Sequence, residues 1–577
     1  MVFARYGQPE VDIENVKSEA EVNSFEKRDS SYEQQRHESS SSDDQSSIKS
    51  TETHSTHRTL TSRTVNLIAL GGSIGTGLFV TISSTLMYGG PLGLLLSYMI
   101  WSLTTFCVIV SIGEMVTYLP INAPFIQMAG RCVDEAFEVV TGFNYYVMIS
   151  IYIPFEITAV NSMIHFWRDD YSPAISFCIQ IFIYTVLNVF AVKWFGESEF
   201  YLTIGKVVLA VGLIVFTFVT MVGGNPQHDA FGFRNWNNPG PFVEYLHKGT
   251  FGEFTGFFNA LTRACFTIVG PEYLAMVAGE TGQETRKVLA SSFRTVFYRM
   301  AVFYILGALS VGILLASNDP TLLKLAGTDS ASNGNFSPYV IAMKNMNIQV
   351  LPHIVNVLCV LSTFSAGNSY VYCSSRALLA MAQRGFAPKF FQYCTKDGVP
   401  IFCVGVAFLF SLLSLLQLGD GAAKVLNWII NVVTSAQIAN YFFMTITYIH
   451  FWRACNKQGL DRSKFLYKSY FQPYTTIFPM IMTALMIITI GYATFIPGNF
   501  TAGGFLTNYL MILLDIVIFI VYKLVKRTKF VKPEEADLVS GLDEVTEHER
   551  RYIERMEKSN KYNEKPTILQ SIYGWIF

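Results

Sequence analysis

Twelve stretches of this 577-residue chain are each long and apolar enough to cross a bilayer, and that feature leaves few folds open. A helix needs roughly 20 apolar residues to cross about 30 Å of hydrocarbon. The candidates fall at 65–87, 92–117, 140–165, 174–192, 202–222, 256–279, 298–317, 350–380, 400–417, 426–451, 476–496 and 503–524. No water is available there, so every backbone N–H and C=O must be satisfied inside the protein, and helices do this within one segment. The expected fold is an all-α polytopic membrane protein of about twelve transmembrane helices. A soluble chain this apolar would need a continuous charged shell. Here 15% of residues are charged, against roughly 25% in soluble domains, and they crowd into the two ends and a few loops.

The flanks divide the chain into three parts. Residues 1–60 hold almost no apolar run, and positions 31–60 contain 13 Ser or Thr. Such a segment cannot bury enough apolar surface to offset its ordering entropy. It is expected to be a disordered cytosolic tail, without a cleavable signal peptide. Its serines and its lysines Lys17, Lys27 and Lys49 are open to kinases and ubiquitin ligase adaptors. Residues 61–527 form the transporter-like membrane domain, and 528–577 a charged cytosolic tail. Residues 543–558 have the pattern of a short amphipathic helix. The simpler reading is a solvated helix; the alternative is one docked against the cytosolic mouth.

An even number of spans puts both termini on one side, and the basic residues say which. With the N-terminus inside, the inward loops carry fourteen Lys or Arg, among them Arg131, Arg286, Arg384 and Arg462, against six in the outward loops. That excess is the positive-inside bias. The sequons Asn335-Phe-Ser and Asn499-Phe-Thr both fall in loops assigned outside.

Two spans carry residues that interrupt helices. The first contains Gly71, Gly72, Gly75 and Gly77 within seven residues, on several faces of two turns. Tight helix packing is one use of small residues, but clustering on several faces favours an unwound segment. Unwinding would leave N–H groups at the start of the outer half-helix pointing at an anion. The sixth span contains Gly270-Pro271-Glu272. Pro271 removes a donor and clashes with the preceding turn. A plain proline kink, with Glu272 paired to an arginine such as Arg263, is the alternative. Interrupted spans near the start and the middle are the pattern of inverted repeats around a midplane site.

Ionisable residues inside the other apolar runs are functional candidates because they are costly when they face lipid. They are Glu114, Glu156, Lys206, Arg376 and Asp515. Glu114 and Arg376 lie near cytosolic ends, which suits gate or anchor roles. Glu156 is deeper and follows Pro154. Lys206 either snorkels to the headgroups or sits buried, where an ammonium gives up its proton more readily and can exchange it during transport. The formal net charge is −1, which gives no argument for a nucleic-acid partner. The nine cysteines include no CxxC pair and read as small buried hydrophobes. With no nucleotide-binding loop or metal cluster visible, neither a cofactor nor enzymatic chemistry is expected.

The strings Gly71 to Phe79, Gly142-Phe143-Asn144-Tyr145-Tyr146, Pro154 to Ala159, Gly196 to Phe200 with Lys206, Ala278-Gly279-Glu280 and Ser365 to Ser369, in this order and spacing, resemble the fungal amino-acid permeases of the amino acid–polyamine–organocation superfamily. The resemblance runs from about residue 58 to 527. It implies two inverted five-helix repeats followed by two further spans. It also implies that Ile74, Gly75, Thr76 and Gly77 receive a substrate carboxylate through backbone donors. Phe266, Thr267, Ile268 and Gly270 would flank the amino group and side chain, with Phe266 as a gate. Lys206 would stand where a sodium ion sits in sodium-coupled relatives, making transport proton-linked. Loop strings such as His165 to Ser172 and Gly223 to Asp229 are most similar to a subgroup tied to carnitine and polyamine uptake. Departures such as Asn122-Ala123-Pro124-Phe125 and Pro271 bear on substrate class and leave the fold untouched. The resulting expectation is a proton-coupled importer of amino acids or related solutes in the plasma membrane. Carnitine or polyamine transport is one alternative, and a nutrient sensor with little flux is another. Glu114, Glu156 and Glu272 join Lys206 as candidate coupling or gating residues.

Overall fold

The computed structural model describes residue 65 and residues 75–558, apart from 169, 191, 283, 328–336, 397, 420–421 and 497. The expected tail at 1–60 and the residues Gly71, Gly72, Ser73 and Ile74 therefore lie outside the described residues. The regular elements are helices. Helices α1 (77–89) and α2 (91–118) are joined at Gly90. They are followed by α3 (Glu135–Ile164), α4 (Pro173–Phe190), α5 (Val192–Met221) and α6, whose halves are Thr250–Thr267 and Pro271–Met276. Then come α7 (Thr285–Leu314), α8 (Leu351–Gln383), α9 (Ile401–Leu418), α10 (Ala422–Lys457), α11 (Tyr474–Phe495) and α12 (Ala502–Lys526). A last helix, α13, spans Leu542–Lys558.

Local chemistry sets several of these ends. Asp134 caps α3 by accepting the Ala136 N–H at 2.8 Å, and Glu135 and Glu138 add negative charge to the first turn. Ser172 caps α4 in the same way, with Pro173 in the first turn, where its missing N–H costs nothing. Gly90 separates α1 from α2 because its φ is +73° and a Cβ there would lie 2.6 Å from the Pro241 carbonyl oxygen.

Among the described residues, nine helices are long and apolar enough to cross a membrane. One of them, Gly77–Tyr118, comprises the two spans α1 and α2. Helix α6 falls short because it is interrupted, and α7 because its apolar part is confined to Ala301–Leu314. The expected twelve spans are thus present. Four of the pairs expected of a five-plus-five repeat are in contact, α1 with α6, α2 with α7, α3 with α8 and α4 with α9, while α5 packs on α7 and α8. Helices α11 and α12 lie outside that pairing and pack on α10.

The C-terminal segment runs back across one end of the bundle, here termed the tail face. The Val531 N–H donates to Val133 O at 2.9 Å, and the Tyr118 hydroxyl to Leu538 O at 3.1 Å. Gln458 donates to the carbonyls of Pro533 and Ala536, and Arg131 to that of Ser540. In α13, Val545 is fully buried, and Glu549 receives both the N–H and the guanidinium of Arg286 at 2.8 and 3.0 Å. The segment is docked, so the solvated-helix reading does not hold. Sequence could not decide this, because an apolar stripe on a charged helix looks the same whatever covers it. Charge-assisted hydrogen bonds of this kind contribute about 1.5–3 kcal/mol. Glu549→Ala should therefore speed amide hydrogen exchange across 542–558 by roughly tenfold or more, and the exchanged pair Arg286→Glu with Glu549→Arg should restore protection. Exchange in the wild type at the rate of an unstructured peptide would contradict the docking.

Candidate functional site at the two helix breaks

Helix α6 stops at Thr267 and resumes at Pro271. Between them Ile268 is extended (φ −97°, ψ 92°) and Gly270 adopts φ +154°, which a side chain would resist. Pro271 enforces the gap, since it has no N–H to give and its ring would strike the carbonyl one turn back. Two tyrosines from other helices accommodate the freed carbonyls. The Tyr152 hydroxyl of α3 donates to Phe266 O, and the Tyr441 hydroxyl of α10 to Ile268 O, each at 3.4 Å. The Phe266 ring stacks on Tyr152 at 5.4 Å and meets Phe155 edge-on at 4.9 Å.

Glu272, fully buried, does not pair with Arg263. It accepts from the Gly270 N–H at 3.4 Å and from the Gln437 side chain at 3.2 Å, so it braces the break from within. Arg263 turns the other way, toward Asn259 and the ring of Tyr88.

The start of α1 meets this break directly. Gly75 and Thr76 precede the first described turn, a wide π-type turn over Gly77–Thr81. A Cβ on Gly77 would lie 3.2 Å from Thr267 Cα, so glycine is what lets the start of α1 touch the α6 break. The hydroxyls of Thr81 and Thr267 are 3.3 Å apart across the contact. The Thr76 hydroxyl donates to the buried carboxylate of Glu156 and is hydrogen-bonded to Thr363 at 2.9 Å. Glu156 thereby joins α3 to α1 beneath the site. Ile74 falls outside the described residues; Gly75, Thr76, Gly77, Phe266, Thr267, Ile268 and Gly270 come together in one region.

Lys206 lies in a second buried cluster. Its side chain is fully enclosed, which removes the snorkelling reading, and its ammonium stands 4.0 Å from Glu199 Oε1. Glu199 is equally enclosed and accepts from Ser365 at 2.7 Å. Sequence reasoning did not single out Glu199 as a site residue. The signal was present, since residues seven apart lie on one face of a helix and both belong to α5.

Glu114 is likewise fully buried, and its surroundings are polar. It takes both arms of Arg462 at 2.6 and 2.9 Å, and also the Ser469 N–H and the Tyr448 hydroxyl. Arg376 pairs with Glu280 at 3.2 Å, just past the second half of α6, and Arg384 with Glu138 at 2.6 Å. These pairs tie the helices together at the tail face. At the opposite end a cleft of about 110 Å³ descends to Thr76, between Tyr88, Phe155, Arg263, Leu322 and Asn427.

An interrupted helix meeting the start of α1 beneath a cleft, with buried ionisable groups beside them, suits a helical membrane transporter architecture. The chain belongs to the amino acid permease family, which it matches over residues 64–534. It is 43% identical to the general amino acid permease AGP2 of Saccharomyces cerevisiae, over 86% of this chain and 84% of that one. It is 36% identical to a proline-specific permease of Emericella nidulans, over 90% and 94%. Among solved structures, a manganese transporter of Eremococcus coleocola shares the fold at a TM-score of 0.51 and 12% identity, over 89% of this chain and 97% of that one. The family consists of permeases, not enzymes.

The Gly77 contact yields a test. Gly77→Val should push α1 from Thr267, lowering the melting temperature of the purified protein by several degrees, as overpacking typically costs about 1–3 kcal/mol. Gly205→Ala, where a Cβ meets nothing within 4 Å, should leave it unchanged. Equal melting temperatures for Gly77→Val and wild type would contradict the packing.

Proposed function

We propose that this permease imports amino acids across the plasma membrane by proton-coupled symport, with both termini cytosolic and the cleft facing outside. The observation that carries the reading is the meeting of the start of α1 with the interrupted α6 at the foot of that cleft. Backbone donors at 74–77 would receive the substrate carboxylate, where half-helix N-termini favour negative charge. The carbonyls and side chains at Phe266, Thr267, Ile268 and Gly270 would face the amino group, with Phe266 closing over it. Glu156 and Glu272 are the carboxylates next to the two breaks and would respond to rearrangement there. Glu114, bound to Arg462, is a natural tie for an inner gate. The relatives named above are described as amino acid or proline permeases, and they lend no support to a carnitine or polyamine substrate.

The coupling part of the proposal rests on Lys206 and Glu199. Two fully enclosed opposite charges avoid a large desolvation cost only while they stay close. A change in the distance between them during transport would therefore favour passing a proton. Lys206→Met should abolish pH-driven accumulation while leaving surface delivery largely intact. Lys206→Arg should fail as well, because guanidinium does not deprotonate. The measurement is initial uptake against external pH in a transporter-deficient host, normalised to surface protein. Wild-type pH dependence in the methionine variant would overturn the assignment. A sensor with little flux is the second reading, motivated by the Ser-rich N-terminal sequence. Flux by a variant lacking residues 1–55 would favour the transporter, and absence of flux in the full-length chain would favour the sensor.

A further inference from the structure

The cleft holds a charge that the two helix breaks do not use. Among the described residues lining it, only Arg263 is charged; its other walls are Thr, Ser, Asn, Met, Tyr, Phe and aliphatic side chains. Arg263 is half-buried on the outer half of α6, four residues before Thr267. Its Nε donates to Asn259 Oδ1 at 2.9 Å, and its guanidinium lies 4.5 Å from the centre of the Tyr88 ring. Tyr88 is itself held edge-on by Tyr245 at 5.0 Å. Both partners are neutral. Among the described residues no carboxylate pairs with Arg263, and neither terminal nitrogen makes a hydrogen bond.

A guanidinium has five N–H donors, and Asn259 takes one of them. The two terminal nitrogens keep their donors in the planar fork that matches a carboxylate. The hydrogen bond from Nε and the ring of Tyr88 fix the fork, so little side-chain freedom remains to be lost on binding. Four residues of helix rise about 6 Å, which places Arg263 one turn outward of the break. An amino acid whose head group rests at the break would direct its side chain along this distance. A side-chain carboxylate two or three bonds beyond the α-carbon, plus one hydrogen bond, covers it. A cationic side chain or a polyamine would instead meet an unneutralised like charge in a partly desolvated cleft.

We propose that Arg263 is a specificity-determining residue that makes the cleft prefer amino acids with an acidic side chain over their neutral isosteres and over cationic ones. This inference rests on the proposed substrate site but fails separately from it. In wild type at pH 6, competition against a labelled neutral amino acid should rank glutamate above glutamine at least tenfold, with lysine weakest. That comparison needs no variant. In Arg263→Gln the glutamate-to-glutamine preference should fall at least tenfold, while Arg263→Lys should retain part of it, because lysine keeps the charge but loses the fork. Surface protein is measured alongside. Wild-type uptake in which glutamine equals or exceeds glutamate would overturn the role of Arg263 and leave the permease reading standing. So would an unchanged preference in Arg263→Gln. Absence of uptake of any amino acid by the wild type would overturn both.

Discussion

Everything at the centre of this protein depends on satisfying backbone that cannot be helical in a place without water. A freed carbonyl in an apolar interior costs on the order of 1–3 kcal/mol if it finds no donor. The break in α6 is tolerable because Tyr152 and Tyr441 reach it from α3 and α10, and because Glu272 accepts the Gly270 N–H. These partners lie on different helices, so the break, α3 and α10 form one mechanical unit. Glycine at position 77 then brings α1 into contact with that unit. The site is a consequence of how the break is stabilised.

The two ends of the bundle are held differently. At the tail face, carboxylates from α2 and α3 and from the segment after α6 take arginines from elsewhere in the chain, and the C-terminal segment lies over the same surface. At the other end a cleft runs down to Thr76. Arg286, in the first turn of α7, binds Glu549 of α13 and so ties α7 to the tail. Buried or half-buried pairs of this kind resist separation strongly, because breaking one strands a desolvated charge.

Much of this was legible in the sequence, and the rest was hidden for identifiable reasons. Span positions follow hydropathy, and eight of the expected runs coincide with described helices to within a few residues, as at 140–165 against Glu135–Ile164, while α5 and α7 extend well before the expected runs 202–222 and 298–317. Run 256–279 is the interrupted one, and Gly270-Pro271 marked it; the break expected from the glycines of run 65–87 lies outside the described residues. Partners were harder. Burial of Glu114 against Arg462, or of Glu280 against Arg376, pairs residues far apart in the chain that no local pattern connects. Glu199 could have been found from its spacing to Lys206. Docking of α13 could not, because Arg286, which holds Glu549, lies far away in the chain.

The most direct test of the account is an experimental structure of the protein with a bound amino acid. The account places the substrate carboxylate within hydrogen-bonding distance of backbone N–H groups in the segment 74–77, its amino group at the α6 break, and Phe266 over it. A substrate bound elsewhere, with α6 continuous through Ile268 and Gly270, would contradict it.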